Sequence, residues 1–223
     1  INQHIMKKTL ITITVLLGIS LTISGQSSLK KLEDYYQQSM KEWKVPGMAV
    51  AIIKDDSLIL SEGYGVRKVN TDKKVTGETL FAIASNTKAF TAAGIGILVD
   101  KEKLNWDDRV VDYLPWFELY SPYVTQNFTI RDLLCHRSGL KTFSGDLLWF
   151  GSDYNRREVV KRARHLEPAF GFREQFGYSN IMYLAAGLVI EEVSGKTWDE
   201  FMKKEFFNPL EMERTLTSTS DLQ

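Results

Sequence analysis

Apolar positions recur first at helical and then at alternating spacing, and they predict one helix followed by a hairpin. Across Ser28–Trp43 the apolar residues stand three and four positions apart, which is typical of an amphipathic helix with its first serine as N-cap. After a Pro-Gly break, Met48–Lys54 and Leu58–Tyr64 read as two strands. The Asp-Asp-Ser stretch at 55–57 lies between them and predicts a tight turn.

Further along the chain, helical signals replace strand signals. Five stretches carry helical spacing or capping residues: 86–100, 129–139, 156–166, 180–193 and 197–208. Thr129–Asp132 and Thr197–Glu200 spell capping boxes, and Gly195 is a natural C-cap. Residues 156–166 are basic, and we expect that helix to be exposed. The residues thus predict an α+β chain, whose two strands are too few for a stable open sheet.

Composition bounds the function without specifying it. The 223 residues are 43% hydrophobic and 25% charged, as in an ordinary globular protein of one or two domains. The 28 basic residues balance 28 acidic ones, and no basic stripe indicates nucleic acid. One cysteine, Cys135, and three histidines without ligand spacing predict neither a disulfide framework nor a metal site.

The N-terminus has the pattern of a secretory signal peptide. Met6-Lys7-Lys8 is basic, Thr9–Ile23 is almost wholly apolar or hydroxylic, and Ser24-Gly25 offers small residues for cleavage. The apolar run is about fifteen residues long, short of the ~20 that a spanning helix needs. We therefore expect residues 1–25 to be upstream residues and signal peptide, residues 26–223 to be the mature domain, and the protein to be exported without a stable membrane anchor.

A serine and a lysine stand three apart at the start of the 86–100 helix. Ser85-Asn86-Thr87-Lys88 follows the apolar run Leu80–Ala84, which we predict to be a strand. Three other strings share the S-x-x-K spelling: Ser27/Lys30, Ser28/Lys31 and Ser138/Lys141. The copy at Ser85 alone has a strand-to-helix setting.

That setting can activate a nucleophile. A serine hydroxyl needs an adjacent base, and residues three apart on a helix share a face. A partly desolvated lysine loses proton affinity and can then accept the serine proton. The alternative is that Ser85 is an ordinary N-cap and Lys88 a solvated surface residue.

A second motif precedes the 180–193 helix. Tyr178-Ser179-Asn180 is the chain's one Tyr-x-Asn string. A tyrosine acts as a general base when a neighbouring ammonium stabilises its phenolate, and an asparagine can bond a substrate amide. The alternative is a tyrosine packed on the core and an asparagine that caps the helix.

At this point the chain resembles the serine beta-lactamase and penicillin-binding-protein-like hydrolases of class C type. The likeness covers Leu29 to Thr215 and runs in order through these segments: Val45–Ala51 with Gly63–Gly65, Phe81–Lys88, Leu104–Asp108 with Tyr113–Pro115, Thr129–Leu140, Tyr178–Asn180 and Asn208–Met212.

The resemblance implies a role for each motif residue. Ser85 is the acylated nucleophile, Lys88 its proton partner, Tyr178 the base and acid, and Asn180 a contact for the substrate amide. It implies an α/β sandwich with an antiparallel sheet flanked by helices and a helical subdomain. The substrate would be a small molecule or peptide of the D-amino-acid peptide, ester or beta-lactam class, with no cofactor. The oligomeric state stays open.

Other residues of the resembling segments have less direct roles. The family's segment at His136 and Ser138 is structural, so we expect these residues to stabilise a turn. Cys135 is expected to be a small buried filler. The aromatic residues of 149–172 are either the lining of an apolar cleft or a loop's own small core.

One family motif is missing. No Lys-Thr-Gly or His-x-Gly follows Tyr178 in this sequence. The family carries it on a strand that also completes the sheet and supplies an oxyanion-hole N–H, a contribution worth ~10²–10³ in rate. We therefore expect an N-terminal fragment of a longer hydrolase, with the C-terminal strands absent from this chain. The rival interpretations are a non-catalytic binding or scaffold protein, or a fragment inactive without the third motif.

Overall fold

The computed structural model describes residues 29–221, which divide into two compact units between Phe81 and Ala82. The predicted signal peptide and the Ser28 cap lie outside the described residues. Within 29–221, none of the helices is both long and apolar enough to span a membrane.

The first unit is a helix followed by a hairpin. Helix α1 covers residues 29–42, and strands β1 (Gly47–Lys54) and β2 (Ser57–Gly65) pair antiparallel. The ring of Tyr36 on α1 meets that of Tyr64 on β2, with centroids 6.0 Å apart. The sequence prediction of these three elements is confirmed.

The hairpin turn depends on two aspartates. Asp55 and Asp56 both have positive φ, 49° and 58°. Two successive residues in this region form the type I′ turn, whose twist matches that of the flanking strands, and aspartate tolerates the conformation better than most residues. A β-bulge between Ile52 and Ile53 shifts the register once.

The second unit is helical. Its α-helices are α2 (Thr87–Asp100), α3 (Val110–Tyr113), α4 (Pro122–Asn127), α5 (Ile130–Leu134), α6 (Arg156–Arg162), α7 (Asn180–Ser194) and α8 (Trp198–Met202). Short 3₁₀ turns cover Ala84–Asn86, Asp146–Leu148, Ala163–His165 and Thr219–Asp221, and a π turn covers Lys203–Phe207. The antiparallel hairpin and this helical unit make the α+β class that the sequence predicts.

Helix α7 is the centre of the second unit's core. Its residues at spacings of one, three and four are fully buried: Ile181, Met182, Ala185, Ala186, Val189 and Ile190. Helix α2 packs against it through Gly94, where an added Cβ would lie 3.0 Å from Ile190 Cδ1. Gly195 ends α7 with a φ of 67°, as predicted for a C-cap. The packing fixes the N-terminal ends of α2 and α7 relative to each other.

A buried carboxylate organises the region around α5. Asp132 completes the predicted capping box with Thr129. Its two oxygens also accept bonds from Arg173, at 2.9 Å from Nε and 2.6 Å from Nη2. Burial alone would raise the pKa of Asp132, but the Arg173 guanidinium and the Thr129 N–H hold that pKa below its usual range.

Three local expectations were wrong. Residues 80–83 form no strand, because an apolar run needs a hydrogen-bonded partner and no segment within 29–221 pairs with it. Helix α5 ends at Leu134, five positions before the predicted Gly139. Helix α6 is only partly exposed: Val159 and Val160 are buried while its basic residues face outward.

The expectation for Cys135 was also wrong. Its side chain is exposed and it forms the C-cap of α5. The burial expected from residue type does not hold here, because Cys135 stands at the exposed end of a five-residue helix.

The Asp132–Arg173 pair makes a stability prediction. Asp132→Asn should lower the free energy of unfolding by about 2 kcal/mol at pH 7, since it breaks charge-assisted bonds to a buried group. The pKa of Asp132 is lower in the folded state. The stabilisation is therefore complete above the unfolded carboxyl pKa of ~3.9 and is lost as pH falls through the folded value. Urea unfolding at pH 7 and pH 3 tests this.

Asp107→Asn is the matched control. Asp107 is paired with Arg131, but its side chain is 76% exposed. A surface pair contributes little, so this variant should stay close to wild type. Equal losses for the two variants, or a loss for Asp132→Asn that is as large at pH 3 as at pH 7, would contradict the assignment.

Candidate active site

The serine of the S-x-x-K motif lies on a strained turn at the start of α2. Ser85 sits in the 3₁₀ turn Ala84–Asn86, and the preceding Ala84 has a φ of 46°. A non-glycine residue in this region costs roughly 1–2 kcal/mol. Such strain is typical of functional turns that the surrounding packing holds in place.

The predicted lysine reaches the serine from the next turn. Lys88 Nζ lies 3.3 Å from Ser85 Oγ and 2.7 Å from Asn180 Oδ1. The ammonium also lies 4.7 Å from the ring centroid of Tyr178, a cation–π distance.

The Tyr-x-Asn motif completes the cluster. The Tyr178 hydroxyl donates to Ser85 Oγ at 2.7 Å, across 93 positions of sequence. The structure therefore brings together all four predicted site residues: Ser85, Lys88, Tyr178 and Asn180.

The serine between Tyr178 and Asn180 caps helix α7. Ser179 is the N-cap of α7, and its side chain accepts from the Met182 N–H at 3.3 Å. The alternative in which Asn180 caps this helix is thus wrong. Asn180 occupies the first helical position, which leaves its amide available to Lys88.

Backbone bonds from the segment after α5 position Tyr178. The His136 carbonyl accepts from the Gly177 N–H at 2.8 Å, and His136 Nδ1 accepts from the Ser179 N–H at 3.1 Å. The His136 ring also stacks on the Tyr178 ring, with centroids 4.5 Å apart. Ser138 Oγ accepts from the Leu140 N–H. The predicted turn-stabilising role of His136 and Ser138 agrees with these bonds.

Gly177 is required by this close approach. A Cβ there would lie 1.9 Å from the Leu140 carbonyl oxygen. On the following residue, the Tyr178 N–H donates to Thr142 Oγ1 at 3.1 Å and the Tyr178 carbonyl accepts from the Phe143 N–H at 2.9 Å. The backbone of Tyr178 is therefore held on both sides.

The electrostatics stabilise the phenolate form of Tyr178 relative to that of an isolated tyrosine. The Lys88 ammonium and the Ser85 hydroxyl hold the pKa of Tyr178 below its usual range, against the opposing effects of partial burial and of Asp146. Burial and the nearby Lys88 lower the pKa of His136. A neutral imidazole suits its Nδ1 acceptor role.

Sequence reasoning missed one polar residue of the cluster. Asn180 Nδ2 donates to both carboxylate oxygens of Asp146, at 3.1 and 2.9 Å. Asp146 lies 34 positions away on a 3₁₀ turn. No local pattern in the sequence marked its carboxylate for the site.

A cavity of about 500 Å³ opens beside Ser85 and Lys88. The aromatic residues of 149–172 were expected either to line a cleft or to form a small core. Two of them, Trp149 and Tyr154, line this cavity. Phe172 instead stacks on the buried Phe128, with centroids 5.4 Å apart. The aromatic stretch thus divides between cleft and core.

Comparison with known proteins identifies the family. Residues 32–223 match the beta-lactamase family. Unguisins hydrolase of Aspergillus campestris is 33% identical over 208 residues, which cover 89% of this chain and 38% of that protein. The chain therefore spans well under half the length of this curated relative.

Solved structures agree with this match. The octameric penicillin-binding protein homologue from Pyrococcus abyssi superposes with a TM-score of 0.77 at 32% identity, over 87% of this chain and 45% of that one. The D-amino acid amidase of Ochrobactrum anthropi, complexed with L-phenylalanine amide, gives 0.69 at 27% identity, over 82% and 51%. The fold is beta-lactamase/transpeptidase-like, and this chain belongs to the beta-lactamase family of hydrolases.

Proposed function

We propose that this protein is an exported serine hydrolase that forms an acyl-enzyme at Ser85 with an amide or ester substrate. The observation that carries the proposal is the convergence on Ser85 Oγ of the Tyr178 hydroxyl at 2.7 Å and the Lys88 ammonium at 3.3 Å. A weak nucleophile is thereby placed next to two groups that can take its proton.

The chemistry proceeds in two balanced halves. Ser85 Oγ attacks the substrate carbonyl carbon while its proton passes to the basic partner, the phenolate of Tyr178 or the amine of Lys88. The proton then moves to the leaving amine or alcohol as the carbon–leaving group bond breaks, and an ester on Ser85 remains. Water attacks that ester and gives a proton to the same base. The base returns the proton to Ser85 Oγ as the ester C–O bond breaks, which releases the acid and restores free Ser85.

The depressed pKa of Tyr178 supports its role as the base. A phenolate is stabilised where an ammonium lies against the ring, as Lys88 does. In this arrangement Lys88 acts by its charge, and Asn180 holds the ammonium in place at 2.7 Å.

The relatives support the substrate class. One is named a hydrolase of unguisins and another a D-amino acid amidase. We propose a small molecule or peptide with a scissile amide or ester. The cavity beside Ser85, with Trp149 and Tyr154 in its wall, would take an apolar substrate group.

The second candidate function is a binding or scaffold protein that keeps this site without turnover. The chain contains Ser85, Lys88 and Tyr178, and binding or acylation without release would engage the same residues. Acylation and product release therefore need separate measurements.

Covalent labelling tests the nucleophile. Incubation with a reactive fluorophosphonate should add one adduct to the intact mass of the wild type and none to Ser85→Ala. Ser138→Ala is the matched control, because it alters a second S-x-x-K string that has no lysine on its hydroxyl. Labelling of Ser85→Ala would assign the nucleophile elsewhere. An unlabelled but folded wild type would favour the non-catalytic function.

The pH dependence of labelling tests the base. The deprotonated phenol is the active form, so the rate should rise with pH and level off at an apparent pKa below 10. Tyr178→Phe should lose this rise and slow labelling by about 10²-fold or more.

Tyr113→Phe is the control for this profile. Burial and a bond to Asp108 raise the pKa of Tyr113 to about 12, and its hydroxyl takes no part in the cluster. Removal of the Tyr113 hydroxyl should leave the pH dependence of the labelling rate unchanged. A wild-type profile in Tyr178→Phe would remove the phenol from the mechanism.

Export is proposed from the sequence of residues 6–25 alone. Expression in a bacterium from Met6 should give a protein outside the cytoplasm whose first residue lies near Gly25. Lys7→Glu combined with Lys8→Glu should reduce that export, because a basic start is part of the signal. Retention of the uncleaved chain in the cytoplasm would contradict export.

A further inference from the structure

The carboxylate of Asp146 lies beneath the site without contacting the nucleophile. Its two oxygens both accept from the Asn180 amide nitrogen, at 3.1 and 2.9 Å. The Trp149 indole N–H adds a third bond to Oδ1 at 3.2 Å. Asn180 in turn presents its oxygen to Lys88 at 2.7 Å. A chain of polar contacts thus links Asp146 to the ammonium next to Ser85.

The fold places this carboxylate with little freedom. Gly145 precedes it with a φ of 79°, and a Cβ at Gly145 would lie 2.6 Å from Ile181 Cδ1 and Leu166 Cδ1. The two methyl groups could shift, but the left-handed backbone conformation favours glycine at this position. The Asp146 N–H is also bonded, to the Phe143 carbonyl at 3.2 Å. The loop therefore brings Asp146 to the first turn of α7, where Asn180 stands.

We propose that Asp146 is a positioning residue, which acts through Asn180 to hold Lys88 between Ser85 and Tyr178. The proposal rests on the proposed function, since it explains how the proton-transfer groups keep their places.

The argument is one of donors and acceptors. An asparagine amide has a nitrogen that only donates and an oxygen that only accepts, and an ionised carboxylate only accepts. Facing Asp146, the amide of Asn180 satisfies both ends in one orientation, with its oxygen toward Lys88. If the Asn180 amide were rotated by 180°, its oxygen would face the Asp146 carboxylate and its nitrogen would face the Lys88 ammonium. The charge of Asp146 therefore selects the orientation that binds Lys88.

The test is the labelling kinetics of Asp146→Asn, which keeps the size of the side chain and removes its charge. At saturating fluorophosphonate, the first-order rate constant for phosphonylation of Ser85, in which Oγ bonds to phosphorus and fluoride leaves, should fall by about 10-fold to 100-fold, because the Lys88 ammonium is no longer held in place beside Ser85. The reagent concentration that gives half the maximal rate should stay unchanged. Asp146→Glu, which keeps the charge, should recover part of the rate. Asp153→Asn, an exposed carboxylate on the same stretch, should behave as wild type.

A double-mutant cycle separates positioning from a general structural role. If Asp146 acts through Asn180, then Asp146→Asn should have no further effect on the rate in an Asn180→Ala background. Additive losses in the double variant would overturn the proposal, and so would a wild-type rate in Asp146→Asn.

A readout without turnover keeps this test independent of the proposed function. In the ¹⁵N NMR spectrum, Asp146→Asn should shift the side-chain amide resonances of Asn180, because the carboxylate whose two oxygens accept from Nδ2 is removed; Asp153→Asn should leave them in place. An unlabelled wild type that shows this difference between the two variants would end the hydrolase proposal and leave the Asp146–Asn180 contact standing. Asn180 amide resonances that are the same in Asp146→Asn and wild type would overturn the positioning role.

Discussion

The packing of α2 against α7 is the constraint on which the site depends. Lys88 stands at the start of α2 and Asn180 at the start of α7, and their side chains meet at 2.7 Å. Gly94 permits the close approach, because a Cβ there would lie 3.0 Å from both Ile190 Cδ1 and Met202 Cε. Burial of apolar surface between the two helices thereby sets the distance between the Lys88 and Asn180 side chains, which are 92 positions apart in the sequence.

Tyr178 depends on a second layer of interactions, which is polar. It stands on no helix, so its position comes from the loop before α7. Hydrogen bonds to the carbonyl and the ring of His136 hold that loop against the segment after α5. The ion pair between Arg173 and the buried Asp132 holds it against α5 itself. Polar groups removed from water must find partners, and here their partners lie on the elements that the phenol must face. The same bonds therefore satisfy the interior and orient Tyr178.

Local signals made much of this predictable. Some features depend on only a few neighbouring residues, and the structure confirms them: the turn at Asp55, the two capping boxes and the C-cap at Gly195. Ser85 and Tyr178 were found because their motifs are also short. Asp146 was missed because its partner is 34 positions away and a lone aspartate in a loop has no periodic pattern. The run at 80–83 failed for the converse reason: apolar content alone cannot supply a pairing partner.

The site contains several features that a chain optimised only for stability would avoid. Ala84 adopts a positive φ, and Lys88 is held against an aromatic ring and an amide instead of open water. Such features persist where surrounding structure over-determines them, and they concentrate at functional positions. Here the packing of α2 and α7 and the carboxylate of Asp146 supply that surrounding structure. The arrangement therefore fits the proposed role of Ser85 as a nucleophile, whether the proposed acyl-enzyme is released or retained.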